Sequence, residues 1–183
     1  MKKIVLIATV AALAIPFAAQ AEGSYLGLNV GSAKQKYSVT GSSGSASDTG
    51  VKVYGGTSFD KNFGVEAGYV DLGNAKKTFN GVDVSAKSNA FYVAATATAP
   101  INDQFAVFAK LGVTANRTKI TSTSAGVNSK FNNTDAIFGV GASYAISKEL
   151  SAVAEYENFG KLAKGSGANL KADMFSVGLR YNF

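Results

Sequence analysis

The chain has 183 residues, with 18 Lys and Arg against 12 Asp and Glu, and contains neither Cys nor His. Disulfide frameworks, thiol nucleophiles and histidine acid–base chemistry are therefore excluded, and the mild positive charge does not suggest a nucleic-acid partner. A mean hydropathy of +0.09 argues against a bundle of membrane helices.

Residues 1–21 read as an export signal. Lys2 and Lys3 precede an apolar stretch from Ile4 to Phe17, and Ala19-Gln20-Ala21 is a small-residue cleavage site. The apolar stretch falls short of the ~20 residues that span a bilayer as a helix. No Cys follows it for lipid attachment. Cleavage would leave residues 22–183 as one domain and lower the net charge from +6 to +4.

The remainder alternates between apolar and polar residues, the period of an extended strand with two unlike faces. A first strand is expected near 24–34, where Leu26, Leu28 and Val30 alternate with Gly27, Asn29 and Gly31. A second near 50–59 sets Val51 and Val53 against Lys52 and Tyr54. A third near 62–72 carries Val65, Ala67 and Tyr69 opposite Glu66 and Gly68, and a fourth near 88–99 carries Phe91 and Val93 opposite Tyr92 and Ala94. The fifth, near 104–116, sets Leu111 and Val113 against Lys110 and Gly112. The sixth, near 134–146, sets Phe138 and Val140 against Gly139 and Gly141. The seventh, near 150–158, sets Ala154 and Tyr156 against Val153 and Glu155. The eighth ends the chain, with Phe175, Val177, Leu179, Tyr181 and Phe183 on one face and Ser176, Gly178, Arg180 and Asn182 on the other.

Connections alternate in length. Those at 60–61, 100–103 and 147–149 are tight. Those at about 35–49, 73–87, 117–133 and 159–172 are long and rich in Ser, Gly, Asn and Lys, and are expected to be flexible loops. Short turns alternating with long loops mark an up-and-down membrane barrel. The expected fold is all-β: an eight-stranded antiparallel up-and-down transmembrane β-barrel, with the last strand closing on the first. Outward aromatics cluster near the short turns (Phe59, Phe63, Phe105, Tyr144, Tyr181, Phe183) and towards the long loops (Tyr69, Phe91, Phe138, Tyr156, Phe175), as two headgroup girdles would require. The middle of the outer face carries no charge, whereas a lipid-facing Lys or Arg there would cost ~2–4 kcal/mol.

Several short segments, in this order and spacing, resemble the transmembrane domain of outer-membrane protein A and its small relatives. They are Gly64-Val-Glu-Ala-Gly-Tyr69 with Leu72-Gly73, Pro100-Ile-Asn-Asp103, Lys110-Leu-Gly112, Tyr144-Ala-Ile146, Glu155-Tyr156 and Ser176-Val-Gly-Leu-Arg-Tyr-Asn-Phe183. The resemblance implies an outer-membrane barrel of a Gram-negative bacterium. It also implies that the terminal strand, Phe175 to Phe183, is read by the barrel-assembly machinery. The chain stops at Phe183, so cell-wall tethering by a periplasmic domain is not expected here. Glu66 matches the family's third-strand glutamate. Thr96, Ser143 and Val153 stand where the family's interior charges would be, so the gating tied to those charges is not carried over.

The interior of eight strands is just wide enough for side chains. Lys52, Glu66, Lys110, Glu155 and Arg180 all fall on the inward parity and are expected to form a polar plug, with the glutamates accepting and Lys110 and Arg180 donating. No cofactor, metal set or catalytic residue is expected. Small outer-membrane barrel enzymes resemble one another in using histidine, which is absent. The long connections are basic through Lys36, Lys76, Lys77, Lys87, Lys119, Lys130, Lys161, Lys164 and Lys171. Such a rim can attract the phosphates of lipopolysaccharide. The function expected is a monomeric structural or surface-interaction protein. A narrow, porin-like channel and an adhesin or immune-evasion protein that meets a host ligand through its loops are the alternatives.

Overall fold

The computed structural model describes residues 23–39, 42–79, 82–122, 128–165 and 168–183, without the side chains at 37–42, 75–84, 120, 122–129 and 163–169. The expected export signal lies outside these residues. Eight strands follow one another: β1 (Ser24–Val39), β2 (Ser42–Ser58), β3 (Phe63–Phe79), β4 (Val82–Pro100), β5 (Phe105–Ser122), β6 (Asn128–Ala145), β7 (Leu150–Gly165) and β8 (Ala168–Asn182). They form one closed barrel in sequence order, antiparallel throughout. β1 closes on β8 with Leu28 opposite Leu179 and Val30 opposite Val177.

Alternation fixes which face each residue takes. Leu111 is 67% exposed on the outer wall, while its neighbour Lys110 is 3% exposed inside. Leu28, Val30, Val65, Val93, Val113, Val140, Val177 and Leu179 also face outward with large exposed areas. An apolar belt of this extent suits hydrocarbon rather than water. The aromatics of both expected girdles lie on this outer face.

The three short turns share one design. In each, a side-chain oxygen accepts two backbone N–H groups. Asp60 Oδ1 accepts from Asn62 and Phe63, both at 2.7 Å. Asn102 Oδ1 accepts from Gln104 at 3.0 Å and Phe105 at 2.8 Å. Ser147 Oγ accepts from Glu149 at 3.3 Å and Leu150 at 3.1 Å. These are side-chain mimics of a backbone turn.

The long connections correct the sequence reading. Where they are described, they are strand rather than loop. The strands run 15 to 19 residues, so most of 35–49, 73–87, 117–133 and 159–172 belongs to the sheet. Beyond the membrane both faces of a hairpin can be wet. The antiparallel ladder then continues without the apolar–polar alternation that reveals a strand in lipid.

Two bulges interrupt this ladder, on β3 between Asp71 and Asn74 and on β7 between Asn158 and Lys161, the latter adjoined by a third register shift between Lys161 and Ala163. Each contains a glycine in the left-handed region, Gly73 at φ 76° and Gly160 at φ 63°. Asp71 Oδ1 accepts the Gly73 N–H at 2.9 Å, and Asn158 Oδ1 accepts the Gly160 N–H at 3.0 Å. A neighbouring aspartate takes the next N–H: Asp48 from Asn74 at 2.5 Å, and Asp135 from Lys161 at 2.9 Å. The same spacing separates Asp48 from Asp135, Asp71 from Asn158, and Gly73 from Gly160. Each bulge sends an apolar side chain inward, Leu72 and Phe159, both fully buried.

Candidate functional site: the barrel interior and the outer rim

Six ionised groups from five strands meet inside the barrel. Lys110 of β5 is at the centre. Its Nζ donates to Glu66 Oε1 at 2.6 Å and Glu157 Oε1 at 3.1 Å, and lies 2.7 Å from Glu155 Oε2. Lys52 of β2 donates to Glu157 Oε2 at 3.0 Å and also pairs with Glu155. Arg180 of β8 places Nη2 3.8 Å from Glu66 Oε2. The strands bring these groups together because all take the inward parity at similar heights. β7 supplies two carboxylates by presenting consecutive inward positions.

Neutral groups complete the cluster. Tyr25 OH and Tyr92 OH donate to Glu66 at 3.0 and 2.6 Å, and Asn29 Nδ2 donates to Glu155 at 2.8 Å. The Lys52 ammonium sits 4.3 Å from the centre of the Tyr54 ring, and the Arg180 guanidinium 4.3 Å from that of Tyr25. Inward glycines leave room for these rings: a Cβ on Gly68 would lie 2.7 Å from Tyr92 Cε1. Three cations face three carboxylates, so the buried set is electrically balanced. Ions removed from water require this pairing and added hydrogen bonds.

A cluster of buried apolar residues lies inside the barrel on the side of the long hairpins. Ala33, Val70, Leu72, Ala90, Ile137, Phe159, Leu162 and Met174 pack there, all fully buried. Beyond it, Ser88 donates to Gln35 Oε1 at 3.2 Å and lies 3.1 Å from Thr118 Oγ1. No group of three or more His, Cys, Asp or Glu is positioned for a metal among the described residues.

All five charges singled out in the sequence lie in this one cluster. Glu157, Tyr25 and Asn29 were missed. Glu157 had a signal: the three inward cations lacked a third carboxylate, and it is the next inward position after Glu155. Tyr25 and Asn29 had none beyond parity.

The terminal strand places Phe175, Val177, Leu179, Tyr181 and Phe183 on the outer wall. The Phe183 N–H donates to Ser24 O at 2.9 Å, and its ring meets Tyr181 edge-on at 5.2 Å. In the rim, Lys36 and Lys119 stand exposed on strands, and Lys161 is half-exposed. Lys36 is not a free cation. It pairs with Asp173, whose hydrogen bond holds the ammonium above its ordinary pKa. The side chains of Lys76, Lys77 and Lys164 lie outside the described residues.

A family model described as outer membrane protein beta-barrel domain matches residues 4–183. No curated protein matches the sequence. Among solved structures, neisserial surface protein A is similar at a TM-score of 0.65 and 19% identity, covering 88% of this chain and 98% of its own. Ail, the attachment invasion locus protein of Yersinia pestis, solved with the heparin analogue sucrose octasulfate, is similar at 0.55 and 16% identity, covering 88% and 100%. The N-terminal β-barrel domain of Pseudomonas aeruginosa OprF is similar at 0.53 and 12% identity, covering 90% and 100%. At these identities the likeness is one of fold.

Proposed function

Because the chain belongs to the outer membrane protein beta-barrel domain family, we propose that it serves the Gram-negative outer membrane as a sealed structural or surface-interaction barrel, neither a pore nor an enzyme. The observation that carries this reading is the filled interior. Buried ion pairs link β2 to β7 and β3 to β5 across the interior, and an apolar cluster lies beside them. A hydrated solute would have to separate paired charges and then enter the apolar cluster, and each step opposes passage. The missing histidine and cysteine support the non-enzymatic part, because the cluster's acids are held by cations rather than left free to exchange protons. What remains available to partners is the polar wall beyond the upper girdle, reached through the long hairpins. Its lysines suit anionic partners such as lipopolysaccharide.

Planar-bilayer recordings on the folded protein test the reading. Phosphatidylcholine bilayers carrying it should stay without steady conductance steps. Stable, porin-sized steps would overturn the sealed barrel.

A further inference from the structure

We propose that two ladders of lysines on the outer wall bind the phosphates of an outer-leaflet glycolipid, one molecule per ladder. In the first, Lys87 of β4 stands directly opposite Lys119 of β5, and Lys119 directly opposite Lys130 of β6. In the second, Lys161 of β7 stands opposite Lys171 of β8, and Lys171 opposite Lys36 of β1. The six residues are scattered through the sequence, and only the strand register aligns them.

Like charges directly opposite one another destabilise a sheet. Three in a row on neighbouring strands raise that cost unless an anion sits among them. The described acids do not supply enough. Asp173 pairs with Lys36, and Asp71 lies 3.9 Å from Lys87. Among the described residues, no carboxylate lies within ion-pair distance of Lys119, Lys130, Lys161 or Lys171. Among the described residues, each ladder therefore keeps two ammonium groups without an ion-pair partner.

Position identifies the anion's source. Lys87 lies four residues beyond Phe91 on β4, and Lys171 four residues before Phe175 on β8. Both ladders thus stand about 13 Å along the strand from an upper-girdle aromatic. The charges point sideways from the wall, not up from the hairpin tips. A lipid anchored beside the barrel presents its phosphates to that wall, whereas a soluble polyanion arriving from the medium meets the tips first. Ammonium groups bind phosphate as point charges, without a fixed fork geometry. This assignment rests on the long hairpins facing the cell surface, but not on the interior being sealed. Conductance would overturn the sealed barrel and leave the ladders standing.

The test counts lipid A on the full mature barrel, folded in phosphatidylcholine nanodiscs doped with bis-phosphorylated lipid A and read by native mass spectrometry. Wild type should retain two molecules. K87Q/K119Q/K130Q should retain one, K36Q/K161Q/K171Q one, and the sixfold variant none. Dephosphorylated lipid A should not be retained. Heat-modifiable gel migration checks that each variant is folded. Should a variant not fold, the wild type in about 0.5 M NaCl gives the answer, since screening at that strength should remove most of the bound lipid A. Three results would overturn the assignment: unchanged retention by the sixfold variant, equal retention of dephosphorylated lipid A, or salt-insensitive retention. Ladder-dependent binding of heparin, with lipid A retention unaffected, would do the same by assigning the ladders to a soluble polyanion.

Discussion

Lys110 is the residue on which the interior most depends. Its ammonium lies within 3.1 Å of all three buried glutamates. Replacing it with Met keeps the volume and apolar stem but leaves Lys52 and Arg180 to balance three carboxylates. Removing one partner from a buried ion pair costs roughly 3–5 kcal/mol. Lys110→Met should therefore lower the unfolding free energy, read from urea titration of the folded gel band, by an amount in that range. Pairing it with Glu66→Gln should recover part of the loss, because the second change removes an orphaned charge. A Lys110→Met barrel as stable as the wild type would mean that water, not the carboxylates, satisfies that ammonium. Glu157 teaches a related lesson about reading sequence. Parity made it visible as an inward position, but its role follows only from counting charges over the whole interior.

At the level of the strands, the membrane-spanning parts were legible and the parts beyond were not. Val65-Glu66-Ala67-Gly68-Tyr69 announces its faces because one meets lipid and the other the interior. Ser42-Ser43-Gly44-Ser45-Ala46-Ser47 lies in an equally regular strand but has water on its outer side, so hydrophobicity carries no period there. The bulges were hidden for another reason: a register shift is a relation between strands. Gly160 is the sharpest case. At φ 63°, a residue with a Cβ is strained by about 1–2 kcal/mol, and that Cβ would lie 2.8 Å from Asp135 Cγ. Gly160→Val should destabilise the barrel by at least that amount in urea titrations, and Gly160→Asn by less, since Asn tolerates the left-handed region. Equal losses for the two variants would show that backbone conformation is not what the site demands.

For the molecule as a whole, closure of the last strand on the first completes the fold. β8 pairs with β1 along its length, and Phe183 is tied to Ser24 at the seam. We propose that the outward face of β8 is also the assembly signal, a role carried by resemblance. Phe183 contributes one edge-on ring contact and one backbone hydrogen bond, the latter independent of its side chain. Phe183→Ser should thus lower the rate of insertion in cells several-fold while the unfolding free energy of the purified barrel in urea changes by about 1 kcal/mol or less. Normal insertion at the wild-type rate would remove the signal reading. The sequence disclosed the strand order, the turns and most of the charged cluster. It could not disclose how the lysines align around the wall, which depends on how far each strand is staggered against the next.

The matched bulges divide the barrel into two comparable halves, β1–β4 and β5–β8, meeting at the turn 101–104. Lys52 and Glu66 belong to the first half, and Lys110, Glu155, Glu157 and Arg180 to the second, so each carries a neutral set of buried charges. Yet among the described residues the ion pairs of Lys52 are made with β7, and those of Glu66 with β5 and β8. Separate polypeptides cut within 101–104 should each lack a stable fold, yet reconstitute a barrel when mixed in lipid. Charge reversal at both Lys52 and Glu66 should abolish that reunion. Either fragment folding alone would show that the halves are self-sufficient. Reunion that depends on these charges would make the ion pairs a mutual recognition code between the halves.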